Sequence, residues 1–459
     1  MFPTPRSTSP PAPERLMPTT FAKWLFDHPA LYHAYSYSYP HKSAYRPLGR
    51  PRTLGQVWSD QDRSSLFLYA HVPFCEMRCG FCNLFTMARP KPAMQEGYMQ
   101  ALTRQVQATR RALGDDATFS RVAVGGGTPT LLEPSQLHAL FDLLERDMGA
   151  ALHDVPVSCE ASPETLTTQK LEVLKSRGVN RLSIGVQSFV DEETRAVRRP
   201  QVYEQVVQTL QNIARYDFEL FNIDLIYGIQ GQTPQSWRRS LTQTLSFAPE
   251  EIFLYPLYVR PLTGLGNRSQ SWDDQRLELY NIGREFLLEH GYEQASMRLF
   301  RRRDLVDVPG PDYVYQRDGM VGLGPGARSY TDGLHYSTDY AVGRRGVVSI
   351  IEDYIGRDSE TFERVDYGFE LDEDERKRRF FIISLLSHEG LDAQLYEDMF
   401  GSPLIEDFVQ IQELVHLGLV QPTPEGFNLT TKGMSYEDAI GPWLYSPNVH
   451  HLMQEAQRK

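Results

Sequence analysis

Three thiols fall within one short stretch of this 459-residue chain, Cys75-Glu-Met-Arg-Cys79-Gly-Phe-Cys82. Their C-x3-C-x2-C spacing follows directly on the apolar run Leu66-Phe-Leu-Tyr-Ala-His-Val-Pro-Phe74. Thiolates are soft donors suited to iron–sulfur clusters. Three of them this close can hold three irons of a [4Fe–4S] cube and leave the fourth iron without a protein ligand. An iron with an open position is a place to do chemistry. A zinc site would need a fourth donor, and nothing near the loop clearly supplies one. A bare C-x2-C would fit zinc or a redox dithiol about as readily. Cys159 stands apart, between Val155 and Glu160 on an expected strand, where it reads as a small buried thiol.

With Phe81 just before the third cysteine, the spacing resembles the signature of the radical S-adenosylmethionine (radical SAM) superfamily. Within it, Tyr69-x-His71-x-Pro73-Phe74-Cys75 resembles the oxygen-independent coproporphyrinogen III oxidase family. The resemblance implies a [4Fe–4S] cluster on Cys75, Cys79 and Cys82, with S-adenosylmethionine on the open iron. It implies an oxidoreductase that accepts an electron from a flavodoxin- or ferredoxin-type donor. The cofactor is then cleaved to methionine and a 5′-deoxyadenosyl radical, which abstracts hydrogen from the substrate.

The elements that must position these groups can be read from hydrophobic patterning. From about 64 to 290, within a barrel domain expected over 64–350, short apolar runs alternate with amphipathic ones. Strands are expected at 66–72, 121–126, 156–161, 181–186, 220–227 and 251–258. Between them Val206, Val207, Leu210, Ile213 and Ala214 mark one face of a helix. Alternating strands and helices imply an α/β fold with a parallel sheet, and the resemblance makes it a partial (β/α)6 radical SAM barrel. Residues 1–63 form an N-terminal extension whose first ~20 residues, rich in Pro, Ser and Thr, are expected to be disordered. Tyrosines crowd the stretch from Tyr32 to Tyr45, which loosely resembles a segment lying near the substrate in the oxidases. Residues 351–459 read as a mainly helical, winged-helix-like module, with helices near 392–400 and 404–418 and a hairpin over 418–430.

Ligands of such sheets gather at the carboxyl ends of the strands. The second strand ends in Gly125-Gly126-Gly127-Thr128-Pro129, where missing Cβ atoms would let a ligand lie against backbone. The third ends in Glu160-Ala-Ser-Pro-Glu164. Glu160 is expected at the mouth, and Glu164 in the first turn of a helix starting near Pro163 with Ser162 as cap. The fourth delivers Gln187, with Arg199 twelve residues on, and the fifth delivers Asp224. Polar side chains in apolar strands are costly unless paired. The resemblance assigns S-adenosylmethionine to Tyr69, Phe81, Gly126, Gly127, Thr128 and Glu160. It assigns Gln187, Arg199 and Asp224 to the reaction chamber, where a second S-adenosylmethionine is possible. Tyr69, Gln187, Arg199 and Asp224 form the expected catalytic set. After the barrel, Gly322-Leu-Gly324 resembles a family stretch that approaches the cofactor from the side.

Composition excludes other classes. Hydrophobic residues make up 41% and charged ones 23%, as in ordinary globular proteins, and the formal charge of -12 argues against general nucleic-acid binding. No apolar run reaches the ~18–20 residues of a membrane span, and the first thirty residues lack a secretory stretch, so a cytoplasmic location is expected. Two family features are missing. Leu84 stands where the oxidases carry a fourth cysteine, and Asp312–Asp318 lacks the histidine of the related haem chaperones. The substrate class implied is a tetrapyrrole. Haem-binding chaperone and haem-degrading methyltransferase remain open as alternatives. Arg260, Arg298, Arg301, Arg302, Arg303 and Arg328 are available for its propionates, although an Arg run usually faces solvent.

Overall fold

The structure is a computed structural model and describes residues 20–28, 31–32, 35–36, 38–260, 263–266, 273–305 and 313–457. The expected disordered tail and Asp312 lie outside the described residues. Six parallel strands run side by side in chain order: Leu66–Val72, Phe119–Gly126, Val157–Ala161, Arg181–Gln187, Leu220–Tyr227 and Glu251–Pro256. They are the six expected from the sequence, each within two residues at either end, and they are called the first to sixth barrel strands below.

Alternation explains both faces of this sheet. In the fourth strand Leu182, Ile184 and Val186 are buried on the helix side, while Ser183, Gly185 and Gln187 face the interior. In the first strand Leu66, Leu68, Ala70 and Val72 are fully buried, and Phe67, Tyr69 and His71 face inward. Each buried aliphatic side chain contributes about 1.5–3 kcal/mol, so a slip of one residue would lose the core and the site together. Among the intervening helices, Tyr203–Ile213 buries Val206, Thr209, Leu210 and Ile213. Thr209 joins the expected stripe, and Ala214 falls outside it as the C-cap.

The sheet extends past the barrel. Met320–Leu323 adds a parallel strand beside the first, with Gly322 opposite Tyr69. Three antiparallel strands follow, and Arg46–Thr53 closes that edge by pairing with Arg364–Glu370. Among the described residues the sheet has thirteen strands. Segments on both sides of the 64–350 span therefore contribute strands to it, and we propose a division near Leu371 instead of 350. One buried cluster fills the barrel. A second joins Phe380, Phe381, Ile411 and Leu414 of the C-terminal part to Phe21, Tyr39 and Tyr45 of the N-terminal segment.

The C-terminal part starts with the helix Glu373–Leu385. The helices Ala393–Phe400 and Gln410–His416 follow, with a hairpin, Val420–Pro422 and Gly426–Leu429, that the short strand Leu391–Asp392 extends. The helix expected at Pro163 starts instead at Thr168, with Thr167 as its cap. Ser162 and Thr165 form a turn over a buried lysine, Lys170, whose Nζ donates to the carbonyls of Thr130 and Thr165. Glu164 is thereby released from any helix terminus. Among the described residues no helix is long and apolar enough to cross a membrane.

Candidate active site

The cysteine loop leaves the first strand at Pro73 and is gripped from three sides. Phe74–Cys75 pairs with Met87–Ala88. The amide of Gly80 donates to Val197 O at 2.8 Å, and the amide of Leu265 donates to Gly80 O at 2.9 Å. A Cβ on Gly80 would meet Val197 O at 2.9 Å, so glycine is required between the second and third cysteines. Cys75, Cys79 and Cys82 all line one cavity of about 640 Å³ at the carboxyl ends of the strands, a size typical of small-molecule sites. Burial and the neighbouring Cys82 push the Cys75 thiol up to about 12, against hydrogen bonds from Thr128 and Thr86. Burial and Cys79 also raise Cys82. A bound metal reverses this, because a coordinating thiol is deprotonated outright. Cys159 is buried behind the third strand, and burial raises its thiol.

One wall is acidic. Glu160 opens onto the cavity and is otherwise enclosed by protein. Burial, aided by Asp224, pushes its carboxyl up to about 7 despite the amide of Gly126, which donates to Oε2 at 3.0 Å. Asp224 accepts from Asn222 at 2.7 Å and Ser183 at 3.5 Å, and burial lifts it to about 6. Gln187 is turned inward by a bulge: Gly185 pairs with Asp224 and Gln187 with Leu225, leaving one extra residue on the fourth strand. Its φ of 70° is a left-handed conformation that costs of the order of 1–3 kcal/mol for a side chain of this type. Arg199 donates from Nη2 to Gly185 O at 2.7 Å and from Nη1 to Cys79 Sγ at 3.3 Å, with Glu164 Oε2 at 3.9 Å.

Tyr69 meets His71 on the inner face of the first strand. His71 Nε2 lies 2.9 Å from Phe85 O and must carry the proton, so Nδ1 accepts from Tyr69 Oη at 3.3 Å. Burial holds His71 down to about 4, hence neutral. The glycine triplet is explained first by its protein neighbours. Cβ atoms would meet the Glu160 carboxylate from Gly125, the His71 ring from Gly126 and the Phe74 carbonyl from Gly127, all within 3.0 Å. Gly126, Gly127 and Thr128 nevertheless line the cavity, as does Phe81.

The opposite wall is basic and comes from remote parts of the chain. Lys42, Arg260, Arg328 and Arg379 line it, with His41 and His335. Burial, then Arg328 and Arg260, hold the Lys42 ammonium well below the usual lysine range, with Cys82 opposing. Lys42 lies 4.1 Å over the Tyr340 ring, and Arg328 donates to Ser38 Oγ at 3.0 Å. Arg379 is tied to the carbonyls of Tyr315 and Gln316.

Comparison with known proteins follows this geometry. The signature of the radical SAM superfamily matches residues 69–243, and that of the HemN C-terminal domain matches 371–436. Over residues 69–243, which hold the cysteine loop and five of the six barrel strands in whole or part, the chain is similar to the radical SAM superfamily. The oxygen-independent coproporphyrinogen III oxidase of Escherichia coli (strain K12) is 28% identical over 88% of this chain and 92% of its own. The heme chaperone HemW of Bacillus subtilis (strain 168) is 27% identical over 80% and 95%. The solved structure of Escherichia coli HemN, described as a radical SAM enzyme, superimposes with a TM-score of 0.76 at 25% identity, covering 89% of this chain and 96% of that one.

The cysteines and the cofactor and catalytic candidates Tyr69, Phe81, Gly126, Gly127, Thr128, Glu160, Gln187, Arg199 and Asp224 all line the one cavity, whereas Gly125, Gly322 and Gly324 do not. Sequence reasoning placed Glu164 in the first turn of a helix and not in the site, whereas it lines the cavity and faces Arg199. It also missed Lys42 and Arg379, which no motif marks. Lys42 sits within the tyrosine-rich stretch, and Arg379 ends the charged run Asp372–Arg379, where nothing separates it from its charged neighbours. Of the arginines considered, Arg298 is buried on Glu437 and Asp438, and Arg301 and Arg302 pair with Glu251 and Glu250. Only Arg260 and Arg328 of that group face the cavity.

Proposed function

We propose that this chain is a radical SAM oxidoreductase of coproporphyrinogen-oxidase type acting on a carboxylated tetrapyrrole. The observation that carries the reading is one cavity with three thiols at its base, an acidic wall and a basic wall. Cys75, Cys79 and Cys82 are the metal ligands. The donor set fits: three soft sulfurs on one clamped loop, while among the described residues no three His, Cys, Asp or Glu side chains gather closely enough to share a single ion. When bound, the cluster and S-adenosylmethionine supply one-electron cleavage to a 5′-deoxyadenosyl radical, with the electron coming from a flavodoxin- or ferredoxin-type donor.

The chain's own residues bind, orient and shield. Glu160 accepts from the amine or ribose hydroxyls of S-adenosylmethionine, and the bare backbone at Gly126 and Gly127, with Thr128, receives its methionine end. Tyr69 and Phe81 pack beside it. Gln187, Arg199 and Asp224 bound the space between cofactor and substrate, where a second S-adenosylmethionine would also fit their polarity. Lys42, Arg260 and Arg328 form a half-buried cluster of basic groups, which is costly without a counter-ion. Substrate carboxylates would relieve it, and charge-assisted bonds to them are strong. Tyr35, Ser38, Tyr39 and Lys42 of the N-terminal segment and Arg379 of the C-terminal part line the cavity, and Tyr39 donates to Glu375, which fixes one segment to the other. Restricting water there protects a reactive radical.

A second reading, haem-binding chaperone, is favoured by Leu84 at the position of the fourth cysteine and by the similarity to HemW. One experiment separates the two. Anaerobically reconstituted protein is given dithionite, S-adenosylmethionine and either coproporphyrinogen III or haem, and products are followed by mass spectrometry. Decarboxylated porphyrinogen with 5′-deoxyadenosine supports the oxidase. Stoichiometric haem uptake without 5′-deoxyadenosine supports the chaperone.

A further inference from the structure

We infer that Arg199 is a positioning residue that sets the reduction potential of the cluster by holding an N–H donor on the sulfur of Cys79. The inference rests on the proposed reading of Cys75, Cys79 and Cys82 as cluster ligands. Its geometry is a fork: Nη2 is fixed on Gly185 O at 2.7 Å, which aims Nη1 at Cys79 Sγ, 3.3 Å away. The side chain is 12% exposed and Glu164 lies on its other flank at 3.9 Å.

The backbone beneath it is equally fixed. The amide of Arg199 donates to Thr194 O at 2.8 Å, the end of the turn begun by the helix Asp191–Ala196. That helix is anchored by Glu193, 3% exposed, which accepts from Ser188 at 2.6 Å, Gln232 at 3.0 Å and Ser236 at 2.6 Å. Two residues before Arg199, Val197 O receives the amide of Gly80. One turn thus grips both the middle cysteine's sulfur and the peptide that follows it. Hydrogen bonds to cluster sulfurs and nearby positive charge stabilise the electron-rich reduced state, and in a dry site the effect is large. Arg199 therefore raises the potential and makes the first electron easier to accept.

The test is an EPR-monitored potentiometric titration with dithionite of the full chain, reconstituted anaerobically with iron and sulfide, as wild type, Arg199→Gln and Arg199→Lys. Both variants should titrate at more negative potential. In Arg199→Gln the reduction equilibrium should fall at least tenfold, which is about 59 mV for one electron. Arg199→Lys keeps the charge but cannot reach Gly185 O and Cys79 Sγ together, so its shift should be smaller; it decides the matter on the same criterion if the glutamine variant does not assemble a cluster. Equal potentials, or a less negative one in a variant, overturn the inference and leave the cluster reading standing. A wild-type chain that takes up no iron overturns both.

Discussion

The amide of Gly126 donates to Glu160 Oε2 at 3.0 Å, joining the carboxyl ends of the second and third barrel strands. The bond favours the carboxylate, yet burial wins and Glu160 titrates near 7. Below that value the proposed acceptor for S-adenosylmethionine is protonated and loses its charge. Calorimetry on the reconstituted protein should therefore find the dissociation constant about tenfold higher at pH 6 than at pH 8, as one linked proton requires. Glu160→Gln should bind more weakly at pH 8 and show a flat profile. In the absence of ligand the sign for stability is opposite: as pH rises from the ordinary carboxylate range of ~4 towards 7, the unfolded chain releases its proton first and stability falls.

A methyl group at Gly127 would lie 2.4 Å from the carbonyl oxygen of Phe74, the residue before Cys75. That contact is with backbone and cannot be relieved by a rotamer change. Gly127→Ala should lower stability by about 1–3 kcal/mol and displace Cys75. Iron content after reconstitution should fall well below wild type, whereas Gly231→Ala, where no neighbour stands within 4 Å but φ is 86°, should cost backbone strain and leave iron content unchanged.

The cysteines divide three against one. Cys79→Ala should abolish incorporation of iron and acid-labile sulfide. Cys159→Ala removes a buried sulfur behind the third strand and should retain both, with a stability loss of about 1 kcal/mol, near that of one buried methylene. Equal iron content in Cys79→Ala and wild type would refute the ligand assignment.

Arg298, 1% exposed, binds Glu437 at 2.8 Å and also Asp438, and its guanidinium lies 3.8 Å from the Tyr35 ring. It locks the barrel to the C-terminal part. Burial lifts Glu437 to about 7 even beside this arginine. Arg298→Met would leave two carboxylates buried without their cation, at a cost of about 3–5 kcal/mol. Chemical denaturation should register that loss, and a variant within 1 kcal/mol of wild type would contradict the lock.

Much of the barrel was legible because its strands are short apolar runs bounded by turn and helix signals. The polar side chains Gln187 and Asp224 stood out within those runs and so pointed to the chamber. The edge strand Arg46–Thr53 was not legible, since it is exposed over most of its length and contains two prolines, so no apolar period marks it. Glu164 was misread because Ser-Pro-Glu is a good helix start in isolation. Here Thr130 and Thr165 recruit Lys170 and hold the chain in a turn. The glycine triplet was located correctly, but neighbours that only folding brings together, His71 and Phe74, account for it before any ligand does. The basic wall needed four chain segments far apart in sequence, which local patterns cannot register.

That wall gives the sharpest test of substrate class. Lys42 belongs to a cluster of like charge in which burial, Arg328 and Arg260 lower its affinity for protons, and an anion beside it would reverse the balance. Lys42→Ala or Arg260→Ala should each weaken binding of coproporphyrinogen III by about ten- to a hundredfold, since a hydrogen bond to a charged group is worth about 1.5–3 kcal/mol. The effect should shrink at high ionic strength only modestly, because both side chains are half-buried in the cavity wall. The tetramethyl ester of the same porphyrinogen carries no charge and should bind the variants as well as it binds wild type. If the ester and the free acid lose affinity equally in both variants, the two cations hold structure and not substrate, and the tetrapyrrole carboxylates must be sought elsewhere in the cavity.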